Sequence, residues 1–530
     1  MSGSANQHAM VGVTPKRRYV WAEILLIFAV FFLQGAWPAP DVNEPYYLGR
    51  AIHYWNPRWA AGDFFLETAD THKVFYFAFG WLSLWLSPLA LAWTGRLLTW
   101  GLMAWAWRRL SFALVPRRWV SILTAALFGC MMEHCHAAGE WVIGGVEAKG
   151  FAYVLVFLGL EALVRSRWNR AWLLFGGAAV FHVLVGGWSA VAAGLAWLGL
   201  GKDRPALRAM WPGLLGGLLL SLPGLIPSLA LTWGIDPQTV SRANEIYVFE
   251  RLGHHLNPFQ FRVGLKLRFV ALALFWLLLC LRAPADPAGR RLRGFVAGAI
   301  ALALAGAAIS LLQFCERSLA AGILRFYWFR LADVAVPLGV AFAAVALIER
   351  QLPDRPFMGK LWLGIALAVA VVHVGGYAIR RTRPTPPRAD KWTVYSDWRD
   401  ICDRIAGSKE IPPQARFLTP KSSQTFKWYT GRAEVVTWKD IPQDAGSIVA
   451  WWNRLQEIHA TGSTDPEFRW HESLTELGAE RLRQLGVKYG AGYLLTDAEP
   501  RLVDLDRLDA NDSYAVYRLQ PIPSEQERAR

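Results

Sequence analysis

Long apolar runs alternate with short polar segments along the first 380 residues of the chain. Each run has about 17 to 25 residues, which is enough for a helix to cross roughly 30 Å of hydrocarbon. The first run is VWAEILLIFAVFFLQGAW at 20–37, and about eleven such runs occur up to residue 380. The pattern predicts an integral membrane protein, mainly α, with a transmembrane domain at 19–380.

Two stretches within this domain are predicted to be irregular. Residue 40 and the basic cluster at 107–119 should lie on opposite sides of the membrane. The run KVFYFAFGWLSLWLSPLALA, at 73–92, lies between them. An odd number of crossings must separate them, so we expect 73–92 to re-enter or to lie in the interface. A bent pair of spans is the alternative. Farther along, Gly186 and Gly187 predict a break that divides an apolar run into two short halves.

Basic residues set the predicted orientation. Lys16, Arg17 and Arg18 precede the first run, so the tail at 1–18 is expected in the cytoplasm and residues 38–92 form a first outer loop. The formal net charge is +15, but residues 381–530 carry equal numbers of acidic and basic side chains. The excess therefore lies in the membrane domain, which indicates topology and not a nucleic-acid partner. A bacterial-type inner (plasma) membrane is the expected location.

The composition changes after the last apolar run. RTRPTPPRADK, at 381–391, is Pro-rich and predicts a stiff linker. Beyond it, ARFLTP, AGYLLTD and SYAVYRL predict short strands, while AGSIVAWWNRLQEIH and ESLTELGAERLRQLG predict amphipathic helices. We therefore expect a small extracytoplasmic α/β domain at 392–530.

The predicted outer segments carry carboxylates, histidines and arginines that would share one membrane face. Carboxylates can take a proton from a hydroxyl group, and arginine side chains can bind a phosphate in a bidentate manner. Grouped by segment, the candidates are Asp41, Glu44, Asp63 and His72 in the first outer loop, Glu140, Glu147 and Lys149 in the second, Arg242, Arg251, His254 and His255 in a later loop, and Arg325 and Arg330 near a late span.

Two short motifs carry a resemblance to a known family. NEPYYLGRAIHYW, at 43–55, looks like the Asp-Glu/Tyr stretch in the first outer loop of the GT-C membrane glycosyltransferases. RFYWFRLADVAVPL, at 325–338, is similar to an Arg-bearing late span of several of these proteins. Protein O-mannosyltransferases and the aminoarabinose transferases of lipid A are examples. The family's acidic pair falls on Asn43-Glu44, so its Asp is replaced by Asn in this chain.

The resemblance implies a GT-C fold with juxtamembrane helices and a glycosyltransferase that moves a hexosyl or pentosyl group. The donor would be a polyprenyl-phosphate-linked sugar held among membrane lipids, and the acceptor a hydroxyl group of a lipid, glycan or protein. A first-loop carboxylate would be the base of an inverting transfer, in the order of preference Glu44, Asp41 and Asp63. The second acidic loop would position the acceptor, and the arginines and histidines named above would bind the donor phosphate or sugar.

Ordinary structural roles compete with these functional ones. Glu44 could cap a helix ahead of Pro45, and Glu140 or Glu147 could simply pair with Lys149.

Two other classes of function are alternatives to the glycosyltransferase. A transporter or flippase of lipid-linked saccharides would need buried mid-span charges, for which the candidates are Glu23, Glu161 and Asp333. A non-catalytic membrane scaffold would need none.

No metal site is predicted from the motifs themselves. EHCH, at 133–136, contains zinc-ligand residue types, but neighbouring side chains at a helix end point in different directions. The resemblance leaves a divalent metal ion open as a cofactor, because some GT-C relatives use one that is held by carboxylates.

Overall fold

The computed structural model describes residues 17–282, 286–391, 393–461 and 469–519. The chain is mainly helical up to residue 381 and ends in a small α/β region, as the sequence predicts. The predicted cytoplasmic tail at 1–18 lies almost entirely outside the described residues.

The α-helices of the first part form a bundle with short connections. Their bounds are α1 Arg17–Gly35, α2 Glu44–Trp55, α3 Lys73–Gly80, α4 Pro88–Leu114, α5 Val120–His134, α6 Ala148–Val164, α7 Trp168–Phe181, α8 Val183–Gly199, α9 Leu207–Ala230, α10 Pro237–Glu245, α11 Gly253–Leu256, α12 Val263–Arg282, α13 Pro287–Ser310, α14 Arg317–Leu324, α15 Arg330–Asp354 and α16 Pro356–Arg381. A π-helical turn, Ile246–Arg251, joins α10 to α11.

Six helices in the described part of the chain are long and apolar enough to cross a membrane, namely α1, α9, α12, α13 with its extension to Phe314, α15 and α16. The predicted number of about eleven spans is therefore not confirmed. Other apolar runs form shorter helices: α5, α6, α7 and α8 have 15, 17, 14 and 17 residues. A further run forms α4, which buries the charged residues Arg96 and Arg108.

The two irregular stretches differ from each other. α3 has 8 residues, and a 3₁₀ turn extends it only to Leu84, so this segment is too short to cross a bilayer. The second break lies at His182, where the backbone is extended, and not at Gly186 and Gly187. Gly186 instead allows α8 to approach α7 closely, because a Cβ atom there would lie 2.2 Å from the backbone nitrogen of Ala179.

Charged residues inside the bundle are paired near helix ends. Glu23 accepts a hydrogen bond from Arg108 at 3.0 Å, and Glu161, near the end of α6, accepts one from Arg165 at 2.6 Å. Asp333 accepts backbone hydrogen bonds from the loop after α5. These three acids, which the transporter alternative needs as an ion pathway, therefore serve as anchors between elements in this conformation.

The C-terminal domain is a mixed sheet with helices packed against it. Its elements are α17 Tyr395–Gly407, β1 Arg416–Leu418, α18 Phe426–Thr430, β2 Ala433–Glu434, α19 Ala445–His459, β3 Ala460–Thr461, β4 Arg469–Trp470, α20 Gly478–Tyr489, β5 Tyr493–Asp497, β6 Asp506–Ala510 and β7 Tyr514–Arg518. The main sheet has the strand order β2-β1-β5-β7-β6, with β2, β1 and β5 parallel and the other pairs antiparallel. The three predicted strands and the two predicted helices are confirmed.

A buried lysine joins this domain to residues 38–72. These residues are the part of the predicted first outer loop that precedes α3, and we call them the first loop. The Lys427 ammonium group lies 3.1 Å from Asp63, 3.1 Å from Glu434 and 2.5 Å from Asp440. All four side chains are at most 4% exposed. Asp63 also accepts a hydrogen bond from the Glu434 backbone at 3.1 Å. The network fixes the domain over the end of the bundle that carries the first loop, which we call the loop face.

Replacing Lys427 by Met should destabilise the protein by about 3–5 kcal/mol, because the change leaves buried carboxylates without a counter-charge. Lys488→Met is the matched control, since the Lys488 side chain is 56% exposed where it pairs with Glu457. An exposed pair contributes about 0–1 kcal/mol. Thermal unfolding of the purified proteins measures both effects, and equal melting temperatures for the two variants would contradict the role of the network.

Candidate active site

A cavity of about 300 Å³ lies at the loop face, between the bundle and the C-terminal domain. Its walls come from α2, the second loop (residues 135–147), the α7–α8 junction, the end of α9, the π-helical turn, α11, the start of α15 and residues 439–443. Seven of the sequence-predicted site residues line it: His72, Glu147, Lys149, Arg251, His255, Arg325 and Arg330. Six others do not: Asp41, Glu44, Asp63, Glu140, Arg242 and His254.

Cationic side chains outnumber carboxylates on the described wall of this cavity. They are Lys149, Arg251, Arg325, Arg330 and Lys439. Arg325 donates to the side chain of Asn244 at 2.6 Å, and Arg251 donates to the backbone oxygen of Trp438 at 2.9 Å, so neither is neutralised by these neutral partners. A cavity with this charge excess is suited to bind an anion with several oxygens, such as a phosphate group.

Glu147 is the one carboxylate among the described residues that line the cavity. It is 2% exposed, it accepts a hydrogen bond from the side chain of Asn43 at 2.7 Å, and its other oxygen lies 3.5 Å from the Lys149 ammonium group. Burial raises the pKa of Glu147 above its usual range, although Lys149 and the Asn43 hydrogen bond act in the opposite direction. A carboxylate with a raised pKa that faces a cavity is suited to accept a proton.

The second loop is held in place from two sides. Asp333 accepts hydrogen bonds from the backbone nitrogens of Ala137 and Ala138 at 2.7 and 2.9 Å. The His255 ring nitrogen Nδ1 lies 2.5 Å from the Ala138 carbonyl oxygen. Burial and the positive charge of Arg330 hold the pKa of His255 well below its usual range, so the neutral ring donates this hydrogen bond. His255 therefore positions the loop that carries Glu147.

Glu140 links two of the cations from behind the cavity wall. Its carboxylate lies 3.1 Å from Arg330 and 3.5 Å from Lys149, and its side chain is 1% exposed. The Arg330 guanidinium also lies 3.8 Å from the centre of the Tyr327 ring. Glu140 thus orients Lys149 and Arg330, which both line the cavity together with Glu147.

The structure does not bring the favoured bases, Glu44 and Asp41, to the cavity. Glu44 has no exposed surface, and its oxygens accept hydrogen bonds from Arg96 at 2.7 and 2.6 Å and from the Val146 backbone at 2.9 Å. Asp41 is equally buried and receives two bonds from Arg388, at 2.7 and 2.6 Å. Each acid is saturated by a bidentate arginine, so neither can reach a hydroxyl group in the cavity.

These two acids instead fasten the second loop to the first. Asp41 accepts a hydrogen bond from the Gly145 backbone at 2.9 Å. A Cβ atom at Gly145 would lie 2.8 Å from Asp41 Cβ and 3.1 Å from Glu44 Cδ, which explains the Gly residue at this position of the loop. The Arg388 charge lowers the pKa of Asp41 against the opposing effect of burial.

The remaining predicted residues fall into three places. Asp63 belongs to the Lys427 network. Arg242 is 49% exposed and lies 3.9 Å from Glu245. The His254 ring lies 4.0 Å from the ring of His255 without lining the cavity, and burial lowers the pKa of His254 to about 4. None of these three residues lines the cavity.

Sequence reasoning missed the contribution of the C-terminal domain to the cavity. Lys439 and Gln443 line it from the segment between β2 and α19, and Gln443 hydrogen-bonds Thr71 of the first loop at 2.8 Å. Burial and the neighbouring Arg251 charge lower the pKa of Lys439 to about 7. No motif marks Lys439 in the sequence, since its role depends on how the domain docks.

The cavity does not fit a divalent ion held by carboxylates, because Glu147 is its single described carboxylate and five cationic side chains surround it. A hard divalent ion needs several oxygen ligands. Metal-ligand residue types do meet outside the cavity, where Cys130, His134 and His373 each place one ligand atom within 4.8 Å of the others.

Comparison with known proteins gives a family match for only a short part of the chain. A family model described as a domain of unknown function (DUF6798) matches residues 396–458, within the C-terminal domain. No curated protein sequence matches the chain.

Among solved structures, the chain is similar to the oligosaccharyltransferase of Archaeoglobus fulgidus. The apo form is 11% identical, with a TM-score of 0.39 over 91% of this chain and 70% of that one. The complex with Zn and sulfate is 12% identical, with a TM-score of 0.40 and coverages of 90% and 68%. A third structure, AglB with an inhibitory peptide and a dolichol-phosphate, is 11% identical, with a TM-score of 0.39 and coverages of 91% and 69%.

Glu44→Gln should lower the melting temperature, since it leaves the buried Arg96 without a counter-charge at a cost of about 3–5 kcal/mol. The double variant Glu44→Gln/Arg96→Gln should lose less stability than the sum of the two single variants, by about 0.5–3 kcal/mol. Thermal unfolding of the four proteins completes the cycle. A Glu44→Gln protein that melts like the wild type would show that the ion pair does not support the fold.

Proposed function

We propose that this protein is a membrane glycosyltransferase of the GT-C type that transfers a sugar from a polyprenyl-phosphate donor to an acceptor hydroxyl group. The observation that carries the proposal is one cavity in which a single described carboxylate, Glu147, faces five cationic side chains. Phosphate is the leaving group of this reaction, and fixed cations stabilise its charge as the glycosidic bond breaks.

The cavity also has an apolar side on which a lipid-linked donor can lie. Leu225 and Leu229 of α9, Leu184 of α8 and Phe326 line it opposite the first loop. Leu229 is 54% exposed and Phe326 is 46% exposed, so this side opens towards the surface of the bundle. We place the donor phosphate near Arg325, Arg330, Arg251 and Lys439, with its isoprenoid chain along α9.

Glu147 is the proposed general base. It would take the proton of the acceptor hydroxyl group as that oxygen attacks the anomeric carbon, while the bond from this carbon to the phosphate oxygen breaks. The lipid phosphate leaves with the electron pair, and attack from the opposite face inverts the configuration. Asn43 holds the Glu147 carboxylate at 2.7 Å, which keeps it in one orientation for proton transfer.

The acceptor is proposed to be a hydroxyl group of a lipid, glycan or protein that enters from the side of the second loop. The proposed orientation places the loop face and the C-terminal domain outside the cytoplasm, in a bacterial-type inner membrane with the N-terminus inside. Lipid-linked sugar donors would then reach the cavity from the outer leaflet. The transporter alternative is less well supported, because Glu23, Glu161 and Asp333 are engaged in structural contacts.

Glu147→Gln should reduce sugar transfer about 10²- to 10⁴-fold, the usual contribution of a general base, without lowering the melting temperature greatly. The assay uses purified protein with polyprenyl-phosphate sugars and candidate acceptors. Glu250→Gln is the matched control, since Glu250 lies on the π-helical turn, pairs with Arg317 at the surface and does not line the cavity. Full activity in Glu147→Gln, or an equal loss in the control, would reject Glu147 as the base.

Donor binding should weaken above pH 7. Lys439 has a pKa of about 7, and a bound phosphate would raise it, so the cationic form that favours binding is lost as the pH rises through 7. Affinity should fall by up to about tenfold per pH unit in that range if a single proton is linked.

Lys439→Arg should bind a polyprenyl phosphate with little dependence on pH between 7 and about 9, because arginine stays charged. Lys439→Met should bind about 10- to 100-fold more weakly below pH 7. Binding measured below and above pH 7 for the three proteins tests this, and an unchanged pH profile in Lys439→Arg would contradict it.

A further inference from the structure

Away from the cavity, a cysteine and two histidines converge between two helices of the bundle. Cys130 and His134 are four residues apart on α5 and therefore share one face of that helix. His373 of α16 meets this face, and the rings of His134 and His373 have centroids 6.3 Å apart at an angle of 84°. One ligand atom from each of the three residues lies within 4.8 Å of the other two.

His373 supplies an independent indication of a ligand. The residue is only 8% exposed, and its Nε2 atom is buried without a hydrogen-bond partner in the described part of the chain. A buried ring nitrogen without a partner costs free energy that a bound metal ion would recover.

We propose that Cys130, His134 and His373 bind one Zn²⁺ ion. A thiolate with two imidazoles suits a borderline to soft metal ion, whereas Mg²⁺ and Ca²⁺ prefer oxygen ligands. Zinc is usually four-coordinate, so three protein ligands leave one position for water. His134 is exposed at the end of α5, which gives the ion a path from solvent.

The site would tie α16 to α5 just before the chain leaves the bundle. α16 ends at Arg381, and seven residues later Arg388 forms its ion pair with Asp41. Zinc would therefore stabilise the helix from which the C-terminal domain is attached. This inference is independent of the proposed sugar transfer, because none of the three ligands lines the cavity.

The test uses the full chain in detergent, purified without a histidine tag and stripped of metal by chelation. After equilibration with Zn²⁺ and gel filtration, elemental analysis should find one zinc ion per chain, and the melting temperature should rise relative to the stripped protein. Mg²⁺ should have neither effect. Co²⁺ in place of Zn²⁺ should produce a thiolate-to-cobalt charge-transfer absorption band.

Cys130→Ser and His373→Asn should each weaken zinc binding at least tenfold, and Cys130→Ser should remove the cobalt band. Cys135→Ser is the matched control, since Cys135 is a nearby thiol that does not belong to the group, and it should keep both the zinc and the band. Three results would overturn the proposal. The wild-type protein could retain no more zinc than the Cys130→Ser variant, the wild-type cobalt complex could lack the band, or the Cys135→Ser substitution could remove the band. A wild-type cobalt complex without the band rejects the proposal even where a variant fails to fold.

Discussion

The pairing of two buried carboxylates with two arginines is the interaction on which the loop face depends. Asp41 with Arg388 and Glu44 with Arg96 join the first loop, α4 and the linker to the C-terminal domain. Removing such charges from water is costly, and the cost is offset only when their hydrogen-bonding capacity is filled. The backbone nitrogens of Gly145 and Val146 fill it, so the second loop is fixed next to Glu147.

The cavity follows from this arrangement. The second loop carries Glu147 and is held by Asp333 and His255 from the opposite side. The C-terminal domain closes the cavity with Lys439, and the Lys427 network keeps that domain in register with the first loop. The structural acids Asp41 and Glu44 flank Asn43, which hydrogen-bonds the proposed catalytic acid Glu147, but of these three acids only Glu147 lines the cavity.

Much of the fold and part of the site could be predicted from local patterns. Apolar runs predicted a helical membrane domain. In the C-terminal domain, short strand-like segments predicted β1, β5 and β7, and amphipathic segments predicted α19 and the region of α20. Residue type and loop position had singled out Glu147, Lys149, Arg251, Arg325 and Arg330 as site candidates, and these five line the cavity. The predicted number of spans is not confirmed, and the run at 73–92, which was expected to re-enter or to lie in the interface, forms a short helix, a turn and the start of another helix.

The sequence by itself determined the class of the fold and which kinds of side chain gather at the loop face, because hydrophobic periodicity and charge placement are local properties. Which carboxylate lines the cavity depends on the tertiary structure. Glu44 and Asp41 are saturated by arginines that lie 52 and 347 residues away along the chain, and no local pattern reveals such partners. Likewise, the spacing of Cys130 and His134 is visible in the sequence, whereas His373 joins them only because α16 packs against α5.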